Sequence, residues 1–437
     1  MIIFGVLMLL IHLSDIHFRR GEIGTAMDPN ASLRNELLRD AEAKCKEIGK
    51  KPSAVLISGD IAFAGDREEY LFALAWIEEF CARCGAELDS VFVIPGNHDV
   101  DRKRAGSMVV QSIHNDIKVT EKKHLDRKLA KLLSDEETGA LLYQSIEAYN
   151  DFALQFYCDL KAPDRTTAKR PLLLNDNSIL QITGFNSAFT SSEHDKIPDL
   201  FVDPACFQLQ RQSGVTHLVL CHHPYNWLRN GYQLEQHLNS VSTIQLFGHE
   251  HANRITNGRD HLKIAASAAH PDRTEDGWEP GYNLIELEVV GGGVEARKLK
   301  TRVHVRVWQQ NPDEFRAKTD RGRDTFDNLI PLEPWQPSEP LLDAKMVTSH
   351  DAGQIKSGSA WAVSSGKVDP MDPLRDVGVR FFKLTLSQKM AVTGQLDLIE
   401  QEDAQVPDYE RFRRAFVRAR DRGLIEKLDE AIKAASK

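Results

Sequence analysis

Val91-Phe92-Val93-Ile94-Pro95-Gly96-Asn97-His98-Asp99 sets a β-branched apolar run against a Pro-Gly break, then presents an amide, an imidazole and a carboxylate in succession. A run of that length and composition reads as a buried strand, and the break reads as the point where the chain turns off its C-terminal end. Polar side chains released at strand ends are where α/β proteins place their chemistry. Taken alone, the stretch reads better as a hairpin turn with an incidental histidine. Four further stretches of the same design decide against the turn.

Leu9–His17 (LLIHLSDIH) ends in Asp15 and His17, and Ala54–Asp60 (AVLISGD) releases Asp60 after Ser58-Gly59. His217–Pro224 (HLVLCHHP) delivers His222 and His223, and Ile244–His251 (IQLFGHEH) ends in His249 and His251. Residues at i and i+2 of an extended segment point the same way, so Asp15 pairs with His17 and His249 with His251. A mixture of carboxylate, amide and imidazole suits manganese, iron or zinc better than calcium, which prefers oxygen alone. The set is too large for one tetrahedral site. Two metals about 3.5–4 Å apart, sharing one aspartate, would use it economically.

The ordered series Asp-x-His, Gly-Asp, Gly-Asn-His-Asp, His and Gly-His-x-His, running from Asp15 to His251, resembles the calcineurin-like metallophosphoesterase superfamily over residues 8–308. The resemblance implies an α/β fold, a four-layer αββα sandwich. It implies one metal on Asp15, His17, Asp60 and His251, a second on Asp60, Asn97, His222 and His249, and Asp60 as bridge. His222 is taken before His223 because it directly follows the apolar strand, as the family's ligand does. His98 resembles the family's non-ligand histidine, which faces the phosphate and the leaving oxygen, and Asp99 reads as a structural hydrogen-bond partner. The implied reaction is phosphodiester hydrolysis by a metal-bound hydroxide, with manganese first among the candidate ions and iron, zinc or magnesium as others. Arg19, Arg20 and His223 are the candidate substrate contacts, although arginines in a surface loop are commonly no more than that. After Asp60 the chain reads Ile-Ala-Phe-Ala-Gly instead of the Val-Asp-Arg-Gly of the family's protein phosphatases. That turns the expectation toward nucleotide phosphodiesterases and nucleases.

With 437 residues and a formal net charge of −9, the chain is long enough for one large core and an appendage, and argues mildly against a broad basic surface for long nucleic acid. The apolar N-terminus runs unbroken into Asp15 and lacks a basic start, so it reads as a core strand from Met8 with residues 1–7 as an upstream extension. No window supplies the roughly 20 apolar residues of a membrane span. The scattered cysteines, Cys81 and Cys84 among them, read as reduced thiols of a cytoplasmic protein.

Within the expected catalytic domain, 1–308, residues 101–170 read as a helical insertion carrying Leu125, Leu129, Leu133 and Leu142, beside the metal mouth as lid or cap. His114 and His124 within it and His194 beyond it lack ligand-like spacing and read as surface or capping residues, and His270 as a loop histidine or a substrate contact. The strands after His251 are expected to complete the second sheet, with a hairpin across Gly291–Gly293. Residues 309–377, rich in Pro, Ser and Gly, read as a linker. Residues 378–437 read as a small all-α domain with a cap at Ser387, an apolar face at Met390, Leu396 and Ile399, and an Arg-rich stretch from Arg411 to Arg422. This tail is similar to the death-like or effector-associated adaptor modules of bacterial defence and signalling proteins. That similarity implies a protein partner or self-association. The rival functions are a DNA or RNA nuclease proper and a non-catalytic metal-binding scaffold acting through the tail.

Overall fold

The computed structural model describes residues 7–25, 28–162, 165–193, 195–272, 278–292, 295–335, 373–405 and 408–435. Residues 1–6 of the expected extension, His194, Gly293 and the stretch 336–372 lie outside them.

The chain enters on β1 (Met8–Leu13), every residue of which is buried. Helix α1 (Ala31–Ile48) returns it to β2 (Ala54–Ile57), and α2 (Arg67–Cys84) to β3 (Val91–Val93). The three strands pair in parallel, so Asp15, Asp60 and Asn97 leave one edge of one sheet. Asp66 starts α2 with a capping box closed by Glu69. The buried face of α2 is Tyr70, Ala73, Trp76, Ile77 and Phe80, whereas Leu71 is 67% exposed. Aromatic packing selects that face: Tyr70 stacks on Phe152 at 5.1 Å and Trp76 meets Phe18 at 5.9 Å.

The insertion forms α3 (Arg102–Ala105), α4 (Met108–Val119), α5 (Lys122–Ser134), α6 (Glu136–Tyr143) and α7 (Glu147–Ala153). Leu125, Leu129 and Leu133 make the buried stripe of α5, spaced as an amphipathic helix requires. Tyr149 donates its hydroxyl to the Val93 carbonyl at 3.1 Å, which fastens α7 to the end of β3. His114 is buried in α4 instead of lying on the surface.

A second sheet follows: β4 (Thr167–Leu173), β5 (Ile179–Phe185), β6 (Val215–Cys221), then α8 (Gly231–Val241), β7 (Ser242–Phe247), β8 (Arg254–Asn257) and β9 (Leu262–Ala265). Its order is β4-β5-β6-β7-β9-β8. Along β6, Leu218 and Leu220 join the core shared with the first sheet, and Val219 and Cys221 join a separate cluster with Leu234 and Leu238 of α8. This alternation defines the layers, since successive strand residues face opposite sides. The fold is an α/β sandwich, two mixed sheets flanked by helices, as the motif series implied.

The strands after His251 divide between the sheets. β8 and β9 extend the second, but β10 (Gly281–Gly292), β11 (Glu295–Gln309), β12 (Glu314–Ala317) and β13 (Phe326–Pro331) complete the first, with β10 antiparallel to β1. Ordered strand therefore reaches Pro331, into the span read as linker. β12 buries only Phe315 and β13 only Ile330, so these edge strands carry almost no alternating signal.

The C-terminal helices are α9 (Pro373–Lys383), α10 (Leu386–Gln395), α11 (Asp408–Asp421) and α12 (Ile425–Ala435). Thr385, not Ser387, caps α10, through a capping box with Gln388. Met390 is 44% exposed and lies off the apolar face. That core, built on Phe381, Phe412, Phe416 and Leu428, also takes in Leu154 from the end of the insertion. A Cβ on Gly378 would stand 1.8 Å from the Tyr157 hydroxyl, so α9 and the insertion pack without space for a side chain there. Among the described residues, no helix is long and apolar enough to cross a membrane.

Candidate metal centre

The strand ends of both sheets bring their polar residues to one place. Asp60 Oδ2 lies 3.4 Å from His17 Nε2 and 3.2 Å from His222 Nε2. Asn97 Oδ1 lies 3.1 Å from Nε2 of both His222 and His223, and 3.0 Å from His249 Nδ1. His251 Nε2 is 3.3 Å from Asp15 Oδ1, and the His249 amide donates to Asp15 Oδ2 at 3.2 Å. Four overlapping groups have donor atoms within 4.8 Å of one another: Asp15-His17-His251, His17-Asp60-His98, Asp15-Asp60-His222 and His222-His223-His249.

The backbone is bent to achieve this. Asp15, His17, Asp60, His249 and His251 all adopt left-handed φ, between 52° and 71°. Each such residue costs about 1–3 kcal/mol and persists only where the surroundings hold it. The flanking glycines allow the close approach: a Cβ on Gly96 would lie 2.2 Å from Asp60 Oδ1, and one on Gly248 would lie 2.1 Å from Ser14 Oγ. Gly96→Ala is therefore expected to displace Asp60. The expected result is a stability loss of about 1–3 kcal/mol together with weakened metal binding, read by denaturant unfolding and metal titration.

Carbonyl oxygens orient the imidazoles from behind. His222 Nδ1 donates to the Ser58 carbonyl at 2.8 Å, His98 Nδ1 to that of Phe63 at 2.7 Å and His17 Nδ1 to that of His270 at 3.4 Å. A carbonyl only accepts, so Nδ1 must carry the proton, and the neutral His222 and His17 rings turn Nε2 lone pairs toward the oxygens of Asp60. Lone pairs facing a buried carboxylate repel unless a positive charge lies between them. Without an ion that charge is a proton. Burial opposes it, but Asp60 and Asp15 hold His222 up to about 9. Burial drives His249 down to about 4, with the charge on His222 acting the same way. Burial alone would raise Asp60, yet His222 and His17 beside it hold its carboxyl well below the usual range. Asp15 Oδ1 is buried and takes no hydrogen bond. A donor set of two carboxylates, an amide oxygen and imidazole lone pairs, with an orphaned carboxylate oxygen among them, fits a divalent cation.

Asp99 ties the two loops together. Its carboxylate accepts from the amides of Ala62 at 2.9 Å, Ile61 at 3.1 Å and Gly96 at 2.9 Å, and from the Tyr70 hydroxyl at 2.9 Å. Burial and the neighbouring Asp60 push it up to about 6 against those donors. His98 sits in the cluster through its amide, which donates to Asp60 Oδ1 at 2.7 Å. Burial lowers its pKa, with Asp60 pulling upward.

Arg19 lies 3.8 Å over the Phe63 ring, whose centroid is 5.0 Å from that of His98. Arg20 is not brought there: its guanidinium pairs with Asp66 at 3.2 Å and Glu68 at 2.8 Å, at the start of α2. His270 is buried and donates Nδ1 to the Ile16 carbonyl at 2.7 Å, so it supports the first strand end and is no open substrate contact. Sequence reasoning missed Trp227, which meets His249 edge-on at 4.3 Å, and Arg102, 3.4 Å from the His98 ring. Trp227 follows His223 by four residues in HHPYNW, which is the one signal that could have found it.

Residues 8–253 match the family model for calcineurin-like phosphoesterase, and the chain belongs to that family. Residues 373–434 match the GTPase-associated adaptor domain. Among curated proteins the chain is similar to the glycerophosphodiester phosphodiesterase GpdQ of Enterobacter lignolyticus (strain SCF1), 35% identical over 94 residues. That match spans 21% of this chain and 30% of the relative's length. Similar solved structures include Vacuolar Protein Sorting 29 from Cryptosporidium parvum, at TM-score 0.32 and 12% identity over 75% of this chain and 99% of that one. A putative 5'-nucleotidase from Staphylococcus aureus gives TM-score 0.34 and 13% identity over 71% of this chain and 54% of that one.

Proposed function

We propose that the protein is a two-metal phosphodiesterase that hydrolyses nucleotide or nucleic-acid phosphodiester bonds. The observation that carries the reading is the position of Asp60 Oδ2, within 3.4 Å of a histidine from the first metal set and 3.2 Å of one from the second. Asp15, His17, Asp60 and His251 would hold one ion, and Asp60, Asn97, His222 and His249 the other, with manganese the first candidate. Bound divalent ions supply an activated water and neutralise charge on the phosphate oxygens.

The protein's own groups supply orientation and proton control. The Ser58, Phe63 and His270 carbonyls hold the rings of His222, His98 and His17 in the required tautomer. His98, when protonated, donates to the leaving alkoxide; burial works against that charge, and Asp60 and the negative phosphate work for it. His223, 3.1 Å from Asn97 Oδ1, and Arg19, on leaving its pairing with Asp272, would meet the other phosphate oxygens. The phosphodiesterase activity in the name of the curated relative supports a diester substrate, and the departure from Val-Asp-Arg-Gly after Asp60 supports the nucleotide branch. The match to an adaptor domain supports recruitment by a protein partner, and we place that partnership in a bacterial defence or signalling system.

The test is turnover by the full chain with added manganese on bis-p-nitrophenyl phosphate, p-nitrophenyl phosphate, cyclic nucleotides and labelled single- and double-stranded DNA and RNA. Diesters hydrolysed faster than the monoester, with loss of turnover on chelation and its return with manganese, is the expected result. A preference for long nucleic acid, suppressed by salt, would move the reading to a nuclease proper. Absence of turnover on all of them, with partner binding through the C-terminal helices, would replace it with a scaffold.

A further inference from the structure

The seam between the catalytic body and the C-terminal helices encloses a cavity of ≈ 440 Å³, within the range of small-molecule sites. Leu74, Phe152, Phe382 and Phe412 supply apolar wall, and the rim carries Leu71 and Leu386, 67% and 52% exposed. Lys389 of α10 also lines it, its ammonium 6.0 Å from the Phe382 ring and 5.8 Å from the Phe412 ring. The other charged groups of the lining are engaged. Arg67 pairs with Asp151 at 2.8 Å, Lys383 with Glu78 at 2.8 Å and Asp408 with Arg411 at 2.8 Å. Among the described residues, Lys389 is the one lining cation whose ammonium has no ion-pair or hydrogen-bond acceptor in reach.

We propose that this seam binds a small amphipathic anion, with an aromatic or aliphatic body between the phenylalanines and a carboxylate, phosphate or sulfonate head on Lys389. A cation set among aromatic rings, whose neighbouring carboxylates Asp151 and Asp408 are paired with Arg67 and Arg411, favours an anionic head, and the apolar wall favours the body. Burial draws the ammonium down to about 8, with Asp151 and Asp408 opposing, so a bound anion would restore the charge that burial disfavours. The ligand would touch α2 and the insertion on one side and α9, α10 and α11 on the other, and so would fix the docking of the C-terminal helices. Tyr70 lines the same cavity and gives its hydroxyl to Asp99, one hydrogen bond from the loops after Asp60 and before Asn97. None of the proposed metal ligands lines this cavity, so binding here and the activity proposed above stand or fall separately.

The test is a fluorescence titration of the full chain with 8-anilinonaphthalene-1-sulfonate, an aromatic anion, followed by displacement with an aryl phosphate and an alkyl carboxylate to identify the preferred head. Saturable binding is expected, weakened at least about tenfold by Lys389→Met and retained by Lys389→Arg. The exposed rim gives a second reading that leaves the core untouched: Leu71→Glu should weaken the dye and Leu71→Lys should not. Absence of saturable binding would overturn the proposal. So would a Lys389→Met chain that binds as the unaltered one does or, were that variant unfolded by circular dichroism, equal binding by the two Leu71 variants.

Discussion

Asp60→Asn is expected to reduce hydrolysis to the uncatalysed background and to lower bound metal from about two ions per chain to fewer than one. The substitution keeps the volume of the side chain, so the loss would come from chemistry. Asp60 Oδ2 faces both His17 and His222, and Oδ1 takes the amide of His98. An amide in that place removes the negative charge that the two proposed cations would share and puts an NH2 group, which cannot ligate a cation, where a second carboxylate oxygen stood. Elemental analysis of the purified variant, beside its turnover of a diester, reads both effects. Retention of both ions with full turnover would remove the bridging role. Intact metal content with lost turnover would leave Asp60 a part in catalysis alone.

His98→Asn should behave differently. His98 contributes its amide to Asp60 and its Nδ1 to the Phe63 carbonyl, and it is not needed in either proposed ligand set. Metal content is therefore expected to stay. Turnover of a diester with a poor alkoxide leaving group should fall by about 10²–10⁴-fold, the usual worth of general acid catalysis. A p-nitrophenyl ester leaves without a proton and should lose far less. The contrast between the two substrates is the measurement. An equal loss on both would assign His98 to electrostatic binding of the phosphate, and no loss would remove it from the reaction.

The sequence carried the site more fully than the fold around it. Asp15, His17, Asp60, Asn97, His222, His249 and His251 were legible as candidates because each closely follows an apolar run that reads as a buried strand; the left-handed backbone that aims Asp15, His17, Asp60, His249 and His251 left no such signal. The order of the motifs then resembled one family closely enough to imply the layers. Asp99 was legible as a hydrogen-bond partner. Its particular donors, the Ile61, Ala62 and Gly96 amides and Tyr70, were not, since Tyr70 lies on a helix whose exposed Leu71 gave as good an apolar signal as its buried neighbours.

By itself the sequence determined five strand ends, their residue types and hence a donor set of the chemistry that suits divalent ions, because strand periodicity and ligand chemistry are local properties. Tertiary structure alone decided the rest. It brought His17 and His222 to the same oxygen of Asp60, turned Arg20 toward Asp66 and away from the cluster, returned β10 to β13 to the first sheet, and set Trp227 against His249. It also seated the C-terminal helices on the insertion, with Leu154 in their core and Lys389 over a cavity. Those outcomes depend on which surfaces meet across roughly 20 to 280 residues of chain, and the loop-closure and packing terms that choose between meetings leave no periodic trace in the residues themselves.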